Sequence, residues 1–290
     1  MDDERNGHES GRRAFLRAAF AGAAGMAASG LAAAPTFAGG HNGATLQVWS
    51  CGGLAEAMQP AHAQYEAASG THIAYTGAFA AALGKSLLGS GSTEVFAGRV
   101  LDLARKLRSA GRMEYFRPLC FSSYVIVTPK GNPAQVATVE DLARAGVRVS
   151  MAPEASPPGG QAVTGLLKKA GCLDAVMHNV ADPGSCVQRS VEDVAAGRTD
   201  AMIVELRVAR LERFAPRLDV VAIPFALFPP GPLTFTVGVM QEAKNRALAD
   251  DYVNWITSPD GQAHFERAGF IPALSPKGQE LVEKLGVKDV

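Results

Sequence analysis

No charge of either sign dominates this sequence: 28 Lys and Arg balance 28 Asp and Glu, for a formal net charge of zero. The balance argues against nucleic acid or an anionic membrane surface as a partner, since both are met by an excess of basic residues. Cysteine is scarce. Four cysteines in 290 residues are too few for a disulfide scaffold, and positions 51, 120, 172 and 186 match no zinc-ligand spacing. His62, His72, His178 and His264 show no metal spacing either and read as structural or surface residues. There is no Ser-His-Asp order, no pair of catalytic carboxylates and no phosphate loop. No internal repeat or low-complexity stretch occurs beyond the first 40 residues. What is abundant is apolar: 47% of residues are hydrophobic, enough for one large or two small cored domains.

The N-terminus does not read as fold. Arg12-Arg13-Ala14-Phe15-Leu16-Arg17 has the form of a twin-arginine export signal. A weakly apolar Ala/Gly run follows over 18–34, and Thr36-Phe37-Ala38 offers a small-x-small cleavage site. The run is too short and alanine-rich for a good membrane span. Residues 1–38 are therefore expected to be a signal peptide of the export route that carries folded proteins. The mature chain should begin near Gly39 and work in the periplasm, an oxidising compartment.

From Thr45 onward strands alternate with helices. Strands are expected at 46–50, 72–76, 94–96, 123–129, 147–150, 178–181, 200–205, 220–223 and 233–240. Helices are expected at 54–68, 80–88, 101–110, 161–170, 187–196, 245–258 and 258–268, with a Thr138-capped helix start. This pattern predicts parallel-rich sheets with helices on both faces, ligands lying beyond the carboxyl ends of the strands. The stretch Leu46–Met58 stands out. A short buried strand runs through Ser50-Cys51-Gly52-Gly53 into a helix, leaving unpaired backbone N–H groups that glycine lets a ligand approach.

The order of motifs resembles that of the periplasmic molybdate-binding (ModA-like) proteins, solute-binding components of ABC importers. The resemblance runs from about Leu46 to Pro272. It is carried by Leu54-Ala55-Glu56-Ala57-Met58, the 80–88 helix, Ser123–Pro129, Pro157-Pro158-Gly159-Gly160-Gln161-Ala162, the run 191–201, Ser258-Pro259-Asp260-Gly261-Gln262 and Ala268-Gly269-Phe270. It implies an α/β, two-lobed periplasmic binding protein fold of type II. One lobe would be built from 44–122 and 233–290 and the other from 123–232, with hinge crossings near Phe121–Tyr124 and Pro229–Leu233. It also implies a monomer that meets ABC-transporter membrane subunits. A small inorganic ligand, a molybdate- or tungstate-like oxyanion, would be held between the lobes by small hydroxyls and backbone N–H groups.

The residues expected to line the ligand site, from family positions and from strand and helix ends together, are Cys51, Gly52, Gly53, Phe79, Ala80, Arg99, Gly159, Gly160, Cys186, Val187 and Glu205. Gly53 and the run Phe79–Ala82 stand where the family has serines, and Glu205 where it often has a tyrosine. Hydroxyl donors are lost and a carboxylate is gained, which argues against plain molybdate, because an unpaired carboxylate repels a dianion. Cys51 and Cys186 fall at expected helix N-termini, where a thiol pKa should be lowered, and Cys120 precedes the first crossing. Cys51, Cys120 and Cys186 with Glu205 could hold a thiolate-bound metal or an iron–sulfur cluster. Cys120 and Cys172 also read as buried small apolar residues; Cys172, ending a helix, should lie at the pole away from the cleft. Cys51 and Cys186 could instead form a disulfide that locks the lobes. Glu205 reads equally as a surface acid beside Arg207 or Arg210, and Arg99 as its partner, an anion ligand or a solvated arginine. An enzyme with Cys51 as nucleophile is the remaining reading, and it lacks a visible general base.

Overall fold

In the computed structural model, residues 41–155, 159–228 and 234–289 are described. The expected export signal, Pro157 and Pro158 of the glycine loop, and the second expected crossing lie outside them.

Strand β1 (Thr45–Cys51) passes through a single 3-10 turn, Gly52–Leu54, into α1 (Ala55–Ser69). The alternation continues as β2 (His72–Ala78), α2 (Ala80–Leu88), β3 (Val95–Arg99) and α3 (Leu101–Ser109), then β4 (Met113–Phe121) and β5 (Tyr124–Pro129). Next come β6 (Val149–Met151), α4 (Gly159–Lys169), α5 (Leu173–His178), β7 (Val180–Pro183), α6 (Val187–Ala195), β8 (Met202–Glu205), α7 (Leu206–Ala209) and β9 (Leu218–Ala222). The chain closes with β10 (Thr234–Met240), α8 (Arg246–Ile256), α9 (Pro259–Ala268), β11 (Ile271–Pro272) and α10 (Pro276–Leu285). None of the described helices is long and apolar enough to cross a membrane.

The first sheet has six strands in the order β11-β4-β10-β3-β1-β2. β1 pairs in parallel with β2 and β3, so their carboxyl ends share one edge. β10 runs antiparallel to β3 and β4. After Phe121 the chain leaves this sheet and at Tyr124 enters a second one, β8-β5-β9, whose pairings are antiparallel. A separate two-stranded sheet pairs β6 with β7 in parallel, and a parallel bridge joins Val149 to Ala201. The directions are thus more mixed than the parallel-rich expectation, because β5 and β10 reverse direction where the chain changes sheet.

Other differences have local causes. β4 was not expected, since Glu114, Arg117 and Pro118 break its alternation. Pro118 is tolerated because the β4–β10 register shifts between Phe235 and Thr236, and a proline at a bulge removes no ladder hydrogen bond. The capped start at Thr138 exists as a reciprocal pair: the Asp141 N–H donates to Thr138 Oγ1 (3.3 Å) and the Thr138 N–H to Asp141 Oδ2 (2.9 Å). It opens only a 3-10 turn, Glu140–Ala143. His178 ends α5 rather than opening a strand, and α10 was not foreseen.

Three apolar clusters hold the elements. Leu54 of the 3-10 turn and Met58 and Tyr65 of α1 pack with Leu248, Tyr252 and Phe265 of α8 and α9 beside β1 and β10. Val191 and Val194 of α6 and Val208 of α7 pack with Val125 and Val127. A third cluster joins Phe96 and Phe121 of the first sheet to Tyr124 and Ile126 of the second, so apolar contact is continuous across the junction.

Candidate ligand-binding site

A cavity of about 730 Å³ opens where β1, β2 and β3 end, facing the starts of α4, α6 and α7. Of the expected ligand residues, Cys51, Gly52, Gly53, Phe79, Ala80, Arg99, Gly159, Cys186, Val187 and Glu205 all line it. They come from both sheets and are separated by up to 154 positions in sequence. Gly160 does not line it. A Cβ at Gly160 would stand 2.1 Å from the Pro153 carbonyl oxygen, so this glycine lets the first turn of α4 pack against the 152–153 backbone.

The floor is an ion-pair chain. Glu205 ends β8 with its side chain 9% exposed. Its Oε1 accepts from Arg99 Nη2 and from Ser122 Oγ (3.1 Å); its Oε2 accepts from Arg207 Nε (2.7 Å). Burial pushes the Glu205 carboxyl pKa up, but the charges of Arg99 and Arg207 and the donated hydrogen bonds outweigh it and hold the group at about 2. Arg207 Nη1 reaches on to Glu56 Oε1 at 3.4 Å. Glu56 stands in the first turn of α1, where the helix N-terminus favours a negative charge. Arg99 lies over the Phe235 ring, 5.4 Å from its centroid. It is followed by Val100 at φ +77°, a conformation that a β-branched residue adopts only under strain.

Glu205 as a surface acid is thereby overturned: it is the buried hub between two arginines. The repulsion expected between Glu205 and an anion is also answered, since both its oxygens are occupied. Sequence reasoning placed Arg207 only as a surface partner and passed over Glu56 as a site residue. A signal for Glu56 existed, because an acid in the first turn after Cys51-Gly52-Gly53 must face the same sheet edge. None existed for Arg207, whose placement depends on β8 turning directly into α7.

The cysteine expectations are corrected in three ways. Cys51 and Cys186 line the cavity, but Cys120 is fully enclosed in the core with Phe235 and Phe270. Among the described residues no group of three or more Cys, His, Asp or Glu side chains is arranged to hold a metal, so Cys51, Cys120 and Cys186 do not form the proposed thiolate site. All four cysteines are free thiols, which removes the Cys51–Cys186 lock from this state. Burial raises the Cys51 thiol pKa despite the Gly53 N–H and the two arginines, which pull it down as a helix N-terminus should. Burial raises that of Cys120 well above the ordinary range. Cys172 lies between α4 and α5 at the start of the latter, remote from the cavity lining.

The walls are apolar: Ala78, Phe79, Ala80 and Ala82 on one side, Ala152, Ala155, Val163, Val187, Met202 and Val208 on the other. Phe79 is 71% exposed. Among the described lining residues Ser185 carries the only hydroxyl, and no histidine is present.

The same fold occurs in solved structures of binding proteins. The substrate-binding domain assigned to a molybdenum ABC transporter of Clostridium difficile superposes with a TM-score of 0.70 at 18% identity, over 79% of this chain and 99% of that one. The periplasmic molybdate-binding protein of Azotobacter vinelandii gives 0.63 at 17% identity, over 78% and 98%. PEB3 of Campylobacter jejuni, bound to L-phospholactate, gives 0.59 at 18%, over 78% and 99%. No curated protein matches the chain in sequence. The sequence profile described as bacterial extracellular solute-binding protein matches residues 46–271, nearly the whole of the described fold, and the chain belongs to that family.

Proposed function

We propose that this protein is the periplasmic receptor of an ABC importer, exported by the twin-arginine route, and that its solute is a small organic molecule rather than a bare tetrahedral oxyanion. The observation that carries the ligand reading is the composition of the cavity. Its volume falls among sites for small organic ligands, about 300–1,000 Å³. Its described lining is rich in Ala, Val and Gly with one hydroxyl, and its charged groups are paired with one another. A dehydrated dianion needs a full shell of donors, and with one lining hydroxyl the backbone N–H groups at the helix starts would have to supply nearly all of it. An organic solute with a polar head and an apolar body would match floor and walls together. PEB3, which shares the fold and was solved with L-phospholactate, shows that the architecture accommodates an organic ligand.

Binding rather than catalysis is favoured by the same residues. The Cys51 thiol is held protonated by burial, and no histidine among the described lining residues stands ready as a base. The reading is tested by calorimetry on the mature chain with molybdate, tungstate and sulfate against small organic acids, amines and amino acids. Micromolar binding by an organic member and no heat from the oxyanions is expected. Tight binding of molybdate or tungstate would overturn the ligand reading.

A further inference from the structure

The floor of the cavity is charge-neutral but not saturated. Glu205 has both oxygens engaged, whereas Arg207 and Glu56 do not use all of their polar atoms among the described residues. Arg207 donates from Nε to Glu205 and from Nη1 to Glu56, and its Nη2 makes no hydrogen bond among the described residues. That Nη2 lies beside Gly53, 3.4 Å from where a Cβ would be, on the wall of the cavity. Glu56 receives one long bond, at 3.4 Å, on Oε1; its Oε2 is shielded from solvent and has no hydrogen-bond partner. An unused donor on Arg207 and an unpaired oxygen on Glu56, the latter shielded from solvent until its side chain turns, thus belong to two neighbouring residues that line the cavity.

Such a pair discriminates by charge type. A lone anion would satisfy Arg207 but bring its charge against Glu56, and a lone cation would do the reverse. A group carrying both charges satisfies both and leaves the floor neutral, since Arg99 and Arg207 already balance Glu56 and Glu205. Above the floor, Phe79, Ala80, Val163 and Val187 offer apolar surface to whatever is attached to that head.

Resting on the organic-solute reading, we propose that the cleft recognises the paired carboxylate and ammonium of a small apolar α-amino acid. Arg207 Nη2 takes the carboxylate, and Glu56 takes the ammonium as its side chain turns toward the ligand. Arg99 and Ser122 act through Glu205 and hold the Arg207 guanidinium in place.

The test uses L-leucine, its deaminated analogue 4-methylpentanoate and its decarboxylated analogue isopentylamine, by calorimetry on the mature chain at pH 7. L-leucine is expected to bind, and each half-analogue to bind at least about 30-fold more weakly, because each leaves one charged group unpaired. Glu56→Gln, a half-exposed isosteric change that leaves the Glu205 hub intact, should weaken L-leucine at least about tenfold and leave 4-methylpentanoate unchanged or tighter. If 4-methylpentanoate equals L-leucine, or if E56Q leaves their ratio unaltered, the amphoteric head is refuted while an organic solute stands. If molybdate binds and no organic probe does, both readings fall. Silence from L-leucine with every other probe also silent overturns the amino-acid assignment.

Discussion

Replacing Glu205 by Gln tests the hub on which the site is built. The amide keeps the size and shape of the carboxylate but removes the negative charge that Arg99 faces and leaves Arg207 with only its long contact to Glu56. The magnitude can be reached in two ways. The carboxyl pKa falls from an ordinary 4.5 to about 2 on folding, and a difference of that size is worth roughly 3 kcal/mol. Removing one partner of a buried ion pair costs about 3–5 kcal/mol, because the remaining charge stays buried. E205Q should therefore be about 3–5 kcal/mol less stable at pH 7, a fall in Tm of about 10 °C for a domain of this length. The pH dependence separates this from a packing defect. A depressed carboxyl stabilises the folded state fully above its unfolded value of 4.5 and loses that stabilisation as pH falls to about 2. Urea unfolding of wild type and E205Q between pH 7 and pH 2.5 should show a gap that is constant down to about pH 5 and narrows below it. A gap under about 1 kcal/mol at pH 7, or one that does not change with pH, would refute the ion-pair account.

Val100→Gly should be at least as stable as Val100→Ala in denaturant melts, because relief of the positive φ, about 1–3 kcal/mol, offsets the glycine's entropy; a V100G protein less stable than V100A would refute the strain. Iodoacetamide at pH 7.5 should alkylate exposed Cys186 at least about tenfold faster than buried Cys51, read by peptide mass spectrometry, with bound solute protecting Cys186; equal rates would contradict the burial of Cys51. Gly160→Ala should lose about 1–3 kcal/mol by forcing α4 off the Pro153 carbonyl. Gly159→Ala, with nothing within 4 Å of the new Cβ, should be neutral or slightly stabilising.

Much of the fold was legible because its elements are locally consistent. The helix expected at 80–88 is α2, and the strand and helix around Cys51-Gly52-Gly53 differ from expectation only by a 3-10 turn. Apolar spacing and glycine pointed the same way at those places. Legibility failed where long-range pairing overrode the local pattern. β4 is a strand because β10 and β11 pair with its two sides, and its bulge absorbs the proline that made it unreadable.

The site was legible to the extent that topology alone could place it. Parallel strands bring their carboxyl ends to one edge, so residues at the ends of β1 and β3 had to meet, and they do. The same rule failed for Cys120, and the register shows why. Phe235 is opposite Arg99 on one side and opposite Cys120 on the other. Cys120 therefore stands at the same level as Arg99, but Phe235 and Phe270 cover it. Height along the strands follows from order in the sequence; cover by other elements does not. The same distinction explains the charges. Arg99, Glu205, Arg207 and Glu56 could each be placed near the edge one at a time, but whether a carboxylate repels a ligand or holds an arginine for it depends on which side chains reach each other. That pairing turns an acidic obstacle at position 205 into a neutral, preorganised floor, and among the described residues it leaves Arg207 Nη2 and Glu56 Oε2 without a hydrogen bond, the two groups on which the proposed recognition rests.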